Sequence, residues 1–349
     1  MKHLIIGAGA AAISAVRTIL KEKPEDSIIV VSQDEEVHSR CMLHKYISGE
    51  RSAESLNFIN DDILSSKKVQ WIKGKTVSRL DGASKTVYSG EEKIASADTV
   101  LIASGANSIV PPIGELKNAK NVFSLRHLSD ARGIVEYAKT AKKIAIIGSG
   151  LVGLDAASGI IESKDGASKE IHVIDMASSV LAVNLDAYAA GAYQKLFEKK
   201  GVQFHLGRRL QNTKSGGKTK GFIFHIGSKS SPDKINNIEL DNGELIPCDM
   251  VIMAVGVSPS TAFLEGSGVH LTERKSIKVD NHLMTNVPGV YAAGDVAGLS
   301  AIWPNAQKQG EYAAYNMTGT KMAYDDLFTL KNTVNFFGLL SMSLGAIHP

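Results

Sequence analysis

Two stretches of the chain repeat one pattern of apolar and polar positions. Lys2–Ile6 reads as a short apolar strand; it is followed by Gly7-Ala8-Gly9-Ala10-Ala11-Ala12 and then an amphipathic helix through Leu20. Lys143–Ile147 is a second apolar strand, followed by Gly148-Ser149-Gly150-Leu151-Val152-Gly153 and a helix to about Ile161. Each helix leads to a further β-branched strand, Ser27–Val31 and Glu170–Ile174. The pattern predicts βαβ twice, with right-handed crossovers and therefore parallel pairing. Val202 to Leu245 reads as a β-meander with polar hairpin loops at Thr213–Lys220 and Ser228–Asn237. A last helix opens at Trp303-Pro304-Asn305 and stops near Met317, before Gly319, because Pro suits a first turn and Gly a helix end.

The glycine runs carry chemistry when they sit between a strand and a helix. The first glycine makes the tight turn, and the second lets a pyrophosphate approach the backbone. The helix N-terminus offers unpaired N–H groups and a partial positive charge. An acidic residue beyond the second strand can then take a ribose hydroxyl. Asp34 follows Gly7 by 27 residues, and Asp175 follows Gly148 by the same 27. The third glycine of the first copy is replaced by Ala12, which a looser helix–strand contact accepts. The residues expected to line the two dinucleotides are Gly7, Gly9, Ala11, Ala12 and Asp34 in one copy. Gly148, Gly150, Leu151, Val152, Gly153 and Asp175 serve in the other.

Composition adds exclusions. The 349 residues carry a net charge of +3, too small to argue for a nucleic-acid or membrane partner. Two cysteines, Cys41 and Cys248, supply neither a metal site nor a disulfide framework, and a reducing cytoplasmic setting is expected. No stretch is long and apolar enough for a membrane span, and the N-terminus lacks a signal-peptide pattern.

Further segments give the pattern a family. Ala97-Asp98 through Ala103-Ser104-Gly105, Cys248-Asp249 through Ala254-Val255-Gly256 and Val290-Tyr-Ala-Ala-Gly294-Asp295 follow in order. Together with the two fingerprints they resemble the FAD-dependent pyridine nucleotide-disulfide oxidoreductases, flavoproteins with two dinucleotide-binding domains. The resemblance runs over about residues 1 to 320. It implies an α/β fold with two Rossmann-like domains, the NAD domain inserted in the FAD domain. The implied division is 1–112 and 262–322 for FAD, 113–261 for NAD(H), and 323–349 as the start of a C-terminal interface domain. That last segment is short, which leaves a homodimer open.

The resemblance also assigns roles. Asp295 would bind a ribityl hydroxyl, with Gly294, Ala103, Ser104 and Gly105 beside the FAD and Ala254, Val255 and Gly256 beside the NAD. The last helix would aim its N-terminal amides, Ala306 and Gln307, at the flavin's pyrimidine end. His38-Ser39-Arg40-Cys41 through Lys45 resembles a segment of the rubredoxin-reductase-like and nitrite-reductase-like branch. There Lys45 would lie beside the isoalloxazine, held by an ion pair to Asp155, and Arg40 would join the FAD site. NADH is favoured over NADPH, since Asp175 repels a 2′-phosphate and Met176–Leu181 holds no Arg.

The activity implied is hydride transfer from NADH to FAD, with electrons passed to a small carrier protein or to oxygen or peroxide. Two alternatives stay open. One is a Cys41-dependent disulfide or CoA-disulfide reductase, or an NADH oxidase or peroxidase. The other is a non-catalytic flavin redox sensor.

Overall fold

The computed structural model describes residues 1–59, 63–215, 234–300, 302–325 and 331–345. Ten strands build two parallel sheets: β1 (Lys2–Ile6), β2 (Ser27–Val31), β3 (Val69–Ile72), β4 (Thr99–Ile102), β5 (Val122–Ser124), β6 (Lys143–Ile147), β7 (Glu170–Asp175), β8 (Val202–Leu206), β9 (Met250–Met253) and β10 (Val290–Ala292). The helices are α1 (Ala10–Glu22), α2 (Leu43–Ile47), α3 (Leu128–Ala138), α4 (Leu151–Ile161), α5 (Ala187–Glu198) and α6 (Trp303–Met317).

The chain forms two compact units: Met1–Ser39, Asn57–Asn107 and Ser258–Lys331 make the first, and Arg40–Leu56, Ser108–Val257 and Asn332 onward the second. The first holds the sheet β10-β4-β1-β2-β3 and the second β5-β9-β6-β7-β8. Four strands correspond in chain order, β4-β1-β2-β3 with β9-β6-β7-β8, so the sequence repeat is a repeat of that topology; the remaining edge strand comes last in the first unit and first in the second. Both α/β sheets are those the paired fingerprints predict. Their strands are apolar on both faces because both are covered: helices pack on one face of each sheet and a three-stranded antiparallel sheet on the other. In the first unit β1 and β2 pair from Lys2↔Ser27 to Ile6↔Val31, and in the second β6 and β7 pair from Lys143↔Glu170 to Ile147↔Ile174. Each unit also starts its central strand in one way. Asp98 Oδ2 accepts the Lys2 amide at 2.8 Å, and Asp249 Oδ2 accepts the Lys143 amide at 2.9 Å.

Three details depart from the sequence pattern. Val202–Leu206 is not part of a meander: it joins the parallel sheet beside β7. Its neighbours in sequence, Leu210–Ser215, Ile235–Leu240 and Leu245–Pro247, form a separate three-stranded antiparallel sheet. Thr213–Ser215 and Ile235–Asn237, expected as loop, are therefore strand, and the rest of those two loops lies largely outside the described residues. Arg40–Leu56 sits with the second unit, because Leu43, Ile47 and Leu56 are buried in its core. So does the hairpin Lys331–Phe336 and Leu339–Leu344, where Val334 and Phe336 pack on α5 and the Tyr193 hydroxyl meets Val334 O, Leu339 O and Ser341 Oγ.

Candidate dinucleotide sites

Both glycine turns are built alike. Gly7 and Gly148 each have φ of +112°, a conformation that side chains rarely adopt. A Cβ on Gly7 would stand 2.3 Å from Ala103 O, and one on Gly148 would stand 2.3 Å from Ala254 O. The first glycine of each turn is thus wedged against the segment after the neighbouring strand, which is why Ala103-Ser104 and Ala254-Val255 belong to the same sites. Gly105 and Gly256 close those segments, both at positive φ. The second glycine of each turn differs. A Cβ on Gly9 or Gly150 would meet no atom within 4 Å. That open space fronts the helix N-termini. The helices begin at Ala10 and Leu151, and neither has a side-chain cap; their first bonds are Ile13 N to Gly9 O and Leu154 N to Gly150 O. By contrast α5 is capped by Asp186 and α3 by a His127–Asp130 capping box. Uncapped amides facing open space at two glycine turns fit two pyrophosphates. This donor set matches FAD and NAD(H).

The third positions diverge. A Cβ on Gly153 would fall 1.9 Å from Gly148 O, so that turn demands glycine. Ala12 carries its methyl fully buried. Close approach in the first unit happens one helix away: Gly310 of α6 lies so near α1 that a Cβ would stand 2.0 Å from Ala11 O.

The two acids, equally spaced in sequence, are not equivalent in space. Gly148 N donates to Ile174 O and Gly7 N to Val31 O, so the residue following each acceptor is Asp175 in one unit and Ser32 in the other. Asp175 ends β7 beside the glycine turn. Its Oδ2 accepts from Ser149 N at 2.6 Å and Ser149 Oγ at 2.7 Å, and its Oδ1 accepts from Ala177 N at 2.9 Å. Ser32 is buried; its hydroxyl donates to Asp34 O and accepts from the Trp71 indole. Asp34 follows two residues later, half-buried.

In the first unit, Gly294 (φ +83°) gives its amide to Gln309 Oε1 at 2.8 Å, and Asp295 opens the short turn Asp295–Ala297. Gln309 is wholly buried and ties α6 to that turn, a role the sequence did not suggest. α6 starts two residues before Asn305. The Ala306 amide therefore donates to Ile302 O, within the helix, and Gln307 lies deeper still.

The segment Arg40 to Glu50 places its side chains within the second unit. Arg40 Nη1 donates to Arg126 O at 2.9 Å. Lys45 Nζ bonds Glu50 Oε2 at 2.6 Å, and not Asp155 as expected. The neighbour of Asp155 is His44, with Nδ1 3.6 Å from Oδ1. α2 turns residue 44 toward α4, and residue 45 lies about 100° further round the helix, toward Glu50. Burial pushes the Asp155 carboxyl up to about 7, with Lys45 opposing. Cys41 is exposed; Cys248 is buried, and burial lifts its thiol to about 12. Among the described residues no cluster of three or more His, Cys, Asp or Glu could hold a metal, and no helix is long and apolar enough to cross a membrane.

Known proteins resemble this chain in sequence and in fold. A family model described as pyridine nucleotide-disulphide oxidoreductase matches residues 1–310. An NADH oxidase of Methanocaldococcus jannaschii is 28% identical over 343 residues, covering 93% of this chain and 71% of that protein. A probable ferredoxin reductase of Castellaniella defragrans is 28% identical over 330 residues, covering 90% and 75%. The solved structure of a water-forming NADH oxidase from Lactobacillus brevis, bound to NADH, superposes with a TM-score of 0.85 at 21% identity, covering 99% of this chain and 75% of that one.

Proposed function

The chain belongs to the pyridine nucleotide-disulphide oxidoreductase family, and from that premise we propose that it is an FAD-dependent NADH oxidoreductase. The carrying observation is the duplicated site: two glycine turns at φ +112°, each wedged on its neighbouring segment and each opening an uncapped helix. In this reading the first unit holds FAD and the second holds NADH. Asp295 and the α1 amides bind the FAD, with Gln309 fixing the Gly294 turn; Asp34 stands at the adenosine end. In the second unit the α4 amides take the NADH pyrophosphate and Asp175 the ribose. Bound flavin supplies hydride acceptance and two-electron storage, and the protein supplies position and electrostatics.

Electrons pass on to a second acceptor, a small redox protein in the first instance and dioxygen or peroxide in the second. Relatives carry names of both kinds. A thiol-active reading rests on Cys41 alone, since Cys248 is buried.

The test is anaerobic. The protein reconstituted with FAD is expected to bleach on adding one equivalent of NADH, and to recover its colour on adding the acceptor. A flavin that binds yet stays oxidised under excess NADH would refute the enzyme reading and favour a redox sensor.

A further inference from the structure

α2 reaches α4 because Gly159 permits it: a Cβ there would stand 2.7 Å from the His44 carbonyl. The approach leaves two polar side chains facing each other, His44 at 13% exposure and Asp155 at 25%. His44 Nδ1 is buried with no hydrogen-bond partner, 3.6 Å from Asp155 Oδ1. Burial, and then Lys45, bring His44 down to about 4, while burial brings Asp155 up to about 7. Burial disfavours the charged form of each group, so near neutral pH the two gain and lose one proton as a pair.

The charges around this pair are few. On α2 and the turn after it stand Lys45, bonded to Glu50, and Arg51. The strands beneath α4 contribute Ile144 and Ile146 from β6 and Met250 and Ile252 from β9 to the shared core. On α3, Asp130 is occupied by the amides of Arg126 and His127. At the far end of α4, Lys169 is bound to the carbonyls of Ala138 and Ala141, next to Asp165. Asp155 lies five residues past Gly150, roughly 7.5 Å along the helix axis. A pyrophosphate at the amide end brings two negative charges to that turn. It repels an ionised Asp155 and not a protonated one.

We propose that His44 and Asp155 form a proton-holding pair that couples proton uptake to binding of a nicotinamide dinucleotide at the Gly148–Gly153 turn. The inference rests on the reading of that turn as the NAD site. Binding favours the protonated carboxyl, so the pKa of Asp155 is higher in the complex than in the unliganded protein. Affinity is full below the unliganded value, falls as pH rises through it, and levels off above the liganded value.

The experiment is titration calorimetry of the FAD-loaded protein with ADP-ribose, which carries the pyrophosphate and cannot move electrons. Two buffers of different ionisation enthalpy report the protons taken up. The expected result is uptake of a fraction of a proton near neutral pH, and binding about tenfold weaker at high pH than at low pH, one unit of pKa change. Asp155→Asn should bind without uptake and without pH dependence. His44→Ala, which admits water to the carboxyl, should move the transition to lower pH, and Lys45→Met should move it higher. Binding without uptake in the wild type, or uptake that persists in Asp155→Asn, overturns the proposal. No binding at any pH overturns the NAD site itself and the proposal with it.

Discussion

Asp175 holds the second glycine turn in shape: one carboxylate oxygen accepts both the amide and the hydroxyl of Ser149, at 2.6 and 2.7 Å. The same carboxylate is the group expected to meet the NADH ribose, so turn geometry and cofactor choice share one side chain. Asp175→Ala should lower kcat/KM for NADH by about tenfold or more, the scale of losing a charge-assisted bond of 1.5–3 kcal/mol. The value for NADPH should fall less, because repulsion of its phosphate is relieved. Steady-state kinetics with both cofactors measures the ratio; an unchanged ratio would remove Asp175 from the specificity role.

Gly9 and Gly310 separate cofactor binding from folding. Gly9→Ala adds a methyl where no protein atom lies within 4 Å, so the flavin-free protein should keep its melting temperature while FAD affinity falls. Gly310→Ala places a methyl 2.0 Å from Ala11 O, and should cost about 1–3 kcal/mol of stability with FAD absent. Melting curves and FAD titrations of the two variants should therefore move in opposite columns. Equal losses in both would mean that Gly9 is a structural glycine.

His3 makes the first unit acid-sensitive. It is wholly buried in β1, bonded to Thr99 Oγ1 at 2.7 Å and Asp26 Oδ2 at 3.0 Å. Burial lowers its pKa below 6.5, with Asp26 opposing. Burial would raise Asp26, but hydrogen bonds from the N-terminal amine and His3 hold it below 3.8. A depressed imidazole pKa means that the unfolded chain takes up the proton first. Stability is then intact above about 6.5 and declines as pH falls through that value toward the folded one. Protonation of Asp26 removes more at lower pH still. Denaturant midpoints from pH 8 to about pH 5 should fall, and His3→Phe should flatten that slope, whatever it does to absolute stability.

The two thiols should differ in reach. Cys41 is exposed, and Cys248 is buried with its thiol lifted to about 12. An aromatic disulfide reagent should label one thiol in the native protein and two after unfolding. Cys41→Ser should abolish the native labelling. Two native thiols would show that the connection at Cys248, between Leu245–Pro247 and β9, opens in solution.

The sequence by itself determined the two βαβ units. Apolar strand runs, glycine runs and helical periodicity are local, and the burial of both sheet faces follows from them. It also marked the wedged glycines: a tight strand-to-helix turn needs positive φ, and Gly7 and Gly148 were the residues able to supply it. Register was a tertiary matter. Asp34 and Asp175 keep equal spacing from their first glycines, yet the helices and loops between differ in length. Ser32 therefore takes the place in the first unit that Asp175 takes in the second. Partner choice on a helix was tertiary too. Lys45 and Asp155 are far apart in sequence, and only the packing of α2 on α4 through Gly159 decided that His44 faces the carboxyl while Lys45 turns to Glu50. Gln309 shows the same limit. Its neighbours in sequence say helix, and its bond to the Gly294 amide exists only because α6 folds back across the first sheet. Local pattern fixes what an element is, and side-chain partners depend on which elements the core draws together.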